Sequence, residues 1–190
     1  ITISMSEKFY LESILKKQIN YVPFGVDQHF WTPKAIENTK EDFILAIGND
    51  LSRDWTTLVE AWQDDFPKLK IITKLPVPTH LQNIEVIKGD WRERILSDIE
   101  IRNFYRTAKF VIIPLKETIQ PAGQSCCLQA MSCGKAVLIA NIKGIWDREA
   151  MVDSKNVLMY RPGDIEDLTK SIKTLLKKKD MSCSLEMNAR

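Results

Sequence analysis

Histidine is nearly absent from this chain, with only His29 and His80 among 190 residues. A Ser–His or Cys–His nucleophilic site therefore has little to build on. Cysteine is scarce as well: of four, Cys126, Cys127 and Cys133 crowd into one expected helix and Cys183 stands apart. That spacing suits neither a CxxC zinc knuckle nor an obvious disulfide, so the thiols read as reduced, buried small hydrophobes and no metal is expected. No apolar stretch approaches the roughly 18 residues of a membrane span. A signal-peptide pattern is missing too, and "ITISMSEKFYLES" starts in mid-strand without an initiating Met, so the expectation is a piece of a longer, cytoplasmic protein. Charge of one sign is not in excess: the net charge is +2 and both signs are mixed. The one basic run, "LLKKKD", reads as the solvated end of a helix, and no nucleic-acid partner is expected. Neither a GxGxxG after a strand nor a GxxxxGK[ST] occurs, which disfavours a dinucleotide oxidoreductase and a P-loop enzyme.

Hydrophobic residues, at 44%, suffice for one sizeable core. Their arrangement alternates between two periods. A helix near 6–17 is followed by a short strand "INYVPF" and the loop "GVDQHFWTP". "FILAIG" (43–48) reads as a buried strand, and 53–66 as an amphipathic helix with Trp55, Leu58, Val59, Trp62 and Phe66 on its core face. Strands are expected at 69–73 and 84–88, then a helix at 98–108 and the apolar run "FVIIPL" (110–115). A helix over 124–133, a strand "AVLIA" (136–140), a short helix near 146–151 and a strand near 156–159 follow. "RPGDIEDLTKSI" opens the last helix, with Asp164 as N-cap and Ile165, Leu168, Ile172 and Leu176 as its stripe. Continuous apolar strands alternating with helices predict an α/β, doubly wound parallel sheet of Rossmann-like form over about 26–178.

The glycines point to one end of that sheet. Gly48 and Gly89 each follow a predicted strand, and Gly123 follows "FVIIPL" after a loop. Ligands of open α/β sheets bind at the carboxyl ends of strands, where loops meet helix N-termini. A helix starting near Gln124 would offer free backbone N–H groups and the positive end of its dipole to a phosphate. Gly123 would let the backbone come close, and Gln124 and Ser125 carry side-chain donors. The alternative is a plain turn.

The order "YVPFGVD", "FILAIGNDLSRDWTTLVEAW", "FYRTAKFVIIPL", "GQSCCLQAMSCGKAVLIANIKGI" and "NVLMYRPGDIEDLTKSI" resembles the C-terminal, donor-binding domain of GT-B glycosyltransferases, of the retaining family 4 or group 1 type. The likeness covers nearly the whole chain. It implies that residues 1–24 are the tail of an acceptor-binding N-terminal domain and 25–33 the interdomain linker. Residues 34–178 would then be the nucleotide-sugar-binding domain and 179–190 the start of a final helix.

Site residues follow from the same resemblance. The loop at Gly48 resembles one carrying a donor-phosphate Arg and, a few residues on, a Lys; Asn49 stands at the first position and Arg53 at the second. Arg53 keeps a fork for phosphate oxygens, whereas Asn49 loses one unit of charge. "KGDW", with Asp90 and Trp91, corresponds to the segment lining the base, where Trp91 would stack on the base or serve as a half-buried structural residue. The family commonly carries two glutamates seven residues apart. Here Pro121 occupies the first place and Gln129 the second, so both acids are gone. Gln129 still suits a ribose diol. Glu117 or Gln120 would have to reach the sugar in place of the first acid, and Glu117 reads equally well as a solvated loop acid.

The implied function is transfer of a hexosyl or related sugar from a nucleotide diphosphate sugar, in polysaccharide or glycoconjugate biosynthesis, with Arg53 and Glu117 as catalytic candidates. Gly48, Asn49, Arg53, Asp90, Trp91, Gly123, Gln124, Ser125 and Gln129 are the donor-binding candidates. No cofactor is expected beyond the nucleotide sugar itself. The acceptor, a glycan, lipid or small molecule, would sit on the missing domain, and any peripheral membrane association belongs to the full-length protein only. Two alternatives stay open: a non-catalytic, degenerate partner domain and a sugar-nucleotide epimerase of the same architecture.

Overall fold

A computed structural model describes residues 1–33, 42–90, 93–178 and 184–187. Its elements are α1 (Met5–Leu15), β1 (Phe43–Ile47), α2 (Trp55–Ala61), β2 (Lys68–Thr73), β3 (Ile84–Lys88), α3 (Asp98–Thr107), β4 (Val111–Ile113), α4 (Gln124–Ser132), β5 (Val137–Ala140), β6 (Leu158–Tyr160) and α5 (Ile165–Lys177). The strands form one six-stranded sheet in the order β3-β2-β1-β4-β5-β6, every pairing parallel. The expected doubly wound sheet is therefore present.

Burial explains the composition of the strands. β1, β4 and β5 are apolar along their whole length and buried throughout, as central parallel strands covered on both faces must be. β3 lies at an edge, and Glu85 and Val86 are exposed there. Right-handed crossovers place α2, after β1, and α4, after β4, on opposite faces. α2 packs with α5, and α3 with α4.

Several boundaries differ from the sequence-based expectation. α2 ends at Ala61 because Trp62 is already extended (φ −79°, ψ 134°). Trp55, Leu58, Val59, Trp62 and Phe66 are nonetheless all buried, the last two as an edge-to-face pair. "INYVPF" is not a strand; Tyr21 makes one isolated parallel bridge with Thr2. The segment near 146–151 is a turn, in which Asp147 Oδ1 accepts from the N–H groups of Glu149 and Ala150 in place of helical carbonyls. In α5 the buried positions are Leu168, Ser171, Ile172 and Leu175, while Ile165 is exposed. Cys183 lies outside the described residues.

Helix starts are read well from side-chain oxygens. Asp164 caps α5 by accepting from Asp167 N–H at 2.8 Å. Asp54 caps α2, accepting from Thr57 N–H at 3.2 Å and Thr57 Oγ1 at 2.7 Å, and it is buried. Replacing Asp54 by Ala is expected to cost about 1–2 kcal/mol, a fall of roughly 2–8 °C in Tm, with Asp54→Asn retaining most of it. A thermal melt of the three proteins checks this.

Residues 1–24 lie against the sheet domain at a few points. Met5 N–H donates to Trp146 C=O at 2.8 Å, and Ser6 Oγ to Ile145 C=O at 2.9 Å. None of α1 is buried, and Phe9, Tyr10, Ile14 and Leu15 are all exposed.

Candidate functional site

The chain leaves β1 toward β2 on one side and β4 toward β5 on the other, so the crevice between the carboxyl ends of β1 and β4 is the switch point of the sheet. Two loops meet there. Residues 52–54 run beside the exit of β4: Arg53 bridges Leu115, Asp54 N–H donates to Pro114 C=O at 3.1 Å, and Lys116 N–H to Ser52 C=O at 2.8 Å. These bonds fix the backbone from which the Arg53 side chain enters the crevice.

The Arg53 side chain is 1% exposed. Its Nε lies 3.0 Å from Asp50 Oδ2, an ion pair not aligned as a hydrogen bond, and one Nη donates to Cys126 Sγ at 3.4 Å. The other, Nη1, has no hydrogen-bond partner among the described residues. A buried guanidinium with an idle donor is costly unless an anion completes it. Two glycines make room for it. A Cβ on Gly48 would stand 1.9 Å from Arg53 Nε, and one on Gly123 would stand 2.7 Å from Ile113 Cγ2 and 3.3 Å from Arg53 Nη1.

Gly123 is also the N-cap of α4, at φ +75°, with no side-chain cap. Among the described residues the N–H groups of Gln124 and Ser125 have no recorded acceptor, as expected for a first helical turn. Uncapped donors and the dipole thus face the same cleft as Arg53. This cleft, of about 340 Å³, is lined by Gly48, Asn49, Asp50, Arg53, Lys74, Asp90, Gly123, Ser125 and Cys126.

A second cavity of about 550 Å³ adjoins it, sharing Ser125 and Cys126 and lined further by Trp31, Arg94, Asp98, Tyr105 and Gln129. Tyr105 is fully buried, and burial, with the Cys126 thiol adding to it, pushes its hydroxyl pKa well above the usual value. It therefore stays a donor, and its OH donates to Gln129 Oε1 at 3.2 Å. The Gln129 amide N–H groups are left without a recorded partner among the described residues, so at this site Gln129 is a donor.

Other sequence candidates have different surroundings. Gln124 Nε2 donates to Ile3 C=O at 2.9 Å, so its side chain secures the N-terminal segment, and its backbone N–H is the donor it leaves in the first turn of α4. Asn49 spans three strand ends: Nδ2 donates to Gly89 C=O at 2.7 Å, and Oδ1 accepts from Lys74 N–H at 2.7 Å. Glu117 lines neither cavity; it is exposed, and Oε1 accepts from Lys143 N–H at 2.9 Å, which pins the loop after β4. Its placement gives no support to contact with a sugar. Asp90 does line the smaller cleft, and Trp91 lies outside the described residues.

Sequence reasoning missed several lining residues, Asp50, Arg94, Asp98 and Tyr105 among them. Lys74 comes from the end of β2, Cys126 is the acceptor beneath Arg53, and Trp31 comes from the stretch read as a linker. Among the described residues no three His, Cys, Asp or Glu side chains form a group able to hold a metal ion. No described helix is long and apolar enough to cross a membrane.

A search of curated protein sequences finds no match. Among solved structures, a glycosyltransferase from Rickettsia africae superposes with a TM-score of 0.78 at 15% identity, over 98% of this chain and 56% of that one. Anabaena HepE, in complex with UDP and glucose, gives 0.74 at 13% identity, over 99% and 56%. The C-terminal domain of a group 1 glycosyl transferase from Francisella tularensis gives 0.66 at 18% identity, over 87% of this chain and 94% of that one. The chain thus spans about half the length of the whole enzymes and nearly all of the isolated domain, and its fold is that of the C-terminal half of a GT-B glycosyltransferase. The profile of one family, described as glycosyl transferases group 1, matches residues 49–178, which hold the switch-point crevice, Arg53 and α4, and the chain belongs to that family.

Proposed function

We propose that the chain is the donor-binding half of a glycosyltransferase, which takes a sugar from a nucleotide diphosphate sugar and passes it to an acceptor held by a preceding domain. One observation carries this reading: the idle Nη1 of a buried Arg53 faces the uncapped N-terminus of α4 at the switch point. In this reading the smaller cleft takes the diphosphate and the larger cavity the nucleoside, with the Gln129 amide donating to a ribose oxygen. Anabaena HepE in its complexes with UDP, glucose and UDP-glucose supplies a precedent for such a ligand on this fold.

The chemistry follows from where charge develops. As the bond from sugar to diphosphate breaks, the leaving diphosphate gains negative charge. Arg53 and the N–H groups of Gln124 and Ser125 are already oriented toward it, so no reorganisation is needed in the transition state. Residues 1–24 fit as the end of the acceptor domain, whose apolar partners would cover Phe9, Tyr10, Ile14 and Leu15 of α1. The chain described here would then bind donor and transfer nothing by itself, since the other domain closes the site.

One observation favours a second reading, a nucleotide-binding domain without transfer. Pro121 stands where the family commonly places an acid, and Glu117 is held by Lys143 outside both cavities. Thermal unfolding with UDP, GDP, ADP and CMP tests binding. A ligand at 100 times its Kd adds about 2.7 kcal/mol, so one nucleoside diphosphate is expected to raise Tm by roughly 5–11 °C. No shift with any of them contradicts the donor-site reading. Donor turnover by the full-length protein then separates transfer from binding alone.

A further inference from the structure

Asn49 lines the same cleft as Arg53, and its amide brings no charge to an anion there. The structure shows what that amide does. Asn49 Oδ1 accepts the backbone N–H of Lys74 at 2.7 Å, while Thr73 Oγ1 donates to Gly48 C=O at 2.7 Å. The end of β2 is thereby tied to the end of β1, and Lys74 is carried into the cleft that holds Arg53, Gly123 and Ser125. Its Nζ lies 3.5 Å from Asp90 Oδ2, and its side chain is 35% exposed, so it is held at the cleft without being sealed in.

On the donor-binding reading above, we infer that Lys74 is a second cationic contact for the diphosphate and that Asn49 is the residue that positions it. The second charge comes from 74, on the neighbouring strand. Arg53 and Lys74 are matched by Asp50 and Asp90, and the Asp50 pair keeps a buried guanidinium tolerable before ligand arrives. The two pairs differ in freedom. Arg53 is enclosed, whereas Lys74 is a compact charge on a long stem that can turn from a carboxylate to a phosphate oxygen. Lys74 lines only the smaller cleft and not the nucleoside cavity, so its contact is with the diphosphate and not with the base.

Isothermal titration of the nucleoside diphosphate that raises Tm, into wild type, Lys74→Gln, Lys74→Arg and Arg53→Gln, tests this. Lys74→Gln is expected to weaken binding about tenfold, the size of one charge-assisted contact, and to reduce the dependence of affinity on salt. Lys74→Arg should stay within about threefold of wild type, and Tm without ligand should not move. Adding Asn49→Ala to Lys74→Gln should cause no further loss of affinity, which a purely structural role for Asn49 would not predict. Binding by Lys74→Gln within twofold of wild type, alongside a large loss for Arg53→Gln, overturns the role of Lys74 and leaves the donor site standing. Undiminished binding by Arg53→Gln, or no binding by wild type, overturns both.

Discussion

Arg53→Gln is expected to lower affinity for the bound nucleoside diphosphate about a hundredfold, while affinity for the matching nucleoside stays within about twofold. The magnitude follows from what is lost. A bond to a charged group contributes about 1.5–3 kcal/mol, and the fork presents more than one donor to the same anion. Glutamine fills part of the volume but carries no charge and cannot fork. Its effect on the fold should be small, because the acid paired with Arg53, Asp50, is 42% exposed and does not become a buried unpaired charge. Calorimetry with diphosphate and nucleoside in parallel separates the outcomes. Equal losses for both ligands would show that Arg53 shapes the cavity and does not grip phosphate.

Gly48→Ala should remove nearly as much affinity without touching a charged residue. The added methyl would sit 1.9 Å from Arg53 Nε and 2.4 Å from both Cζ and Nη2. Ordinary contact needs about 3.5–4 Å, so the guanidinium must shift by well over an ångström. Overpacking of this kind costs about 1–3 kcal/mol of stability. Diphosphate affinity is expected to fall at least thirtyfold, and the Gly48→Ala, Arg53→Gln double variant to be no weaker than Arg53→Gln alone, since both changes remove one interaction. Additive losses would mean that Gly48 touches the ligand through its own backbone.

The central fold was legible because burial leaves a plain signature. "FILAI", "FVII" and "AVLIA" have no polar residue to place outward, and only a strand covered on both faces tolerates that. Asp164 marked a helix start because capping depends on one residue's own chemistry. The cleft was only half legible. Gly48, Arg53, Gly123 and Ser125 come together as the family resemblance implied. Lys74 was hidden because parallel pairing, not sequence distance, sets it beside Asn49. Gln124 and Asn49 read as ligand donors because nothing local shows that Ile3 and Gly89 carbonyls already take their amides. The surroundings of Glu117 were hidden for a similar reason: the Lys143 N–H that holds it lies in the loop after β5. Long-range hydrogen bonds of this kind leave no period or spacing to read.

The most direct test of the account is amide-resolved NMR of the protein titrated with UDP, GDP and ADP. One of the three is expected to shift the backbone amides of Gly48, Gly123, Gln124 and Ser125 together with the Nε–H of Arg53, and to leave the α5 amides unmoved. Shifts centred anywhere else in the fold, or none with any nucleotide at millimolar concentration, would contradict a diphosphate site between Arg53 and the N-terminus of α4.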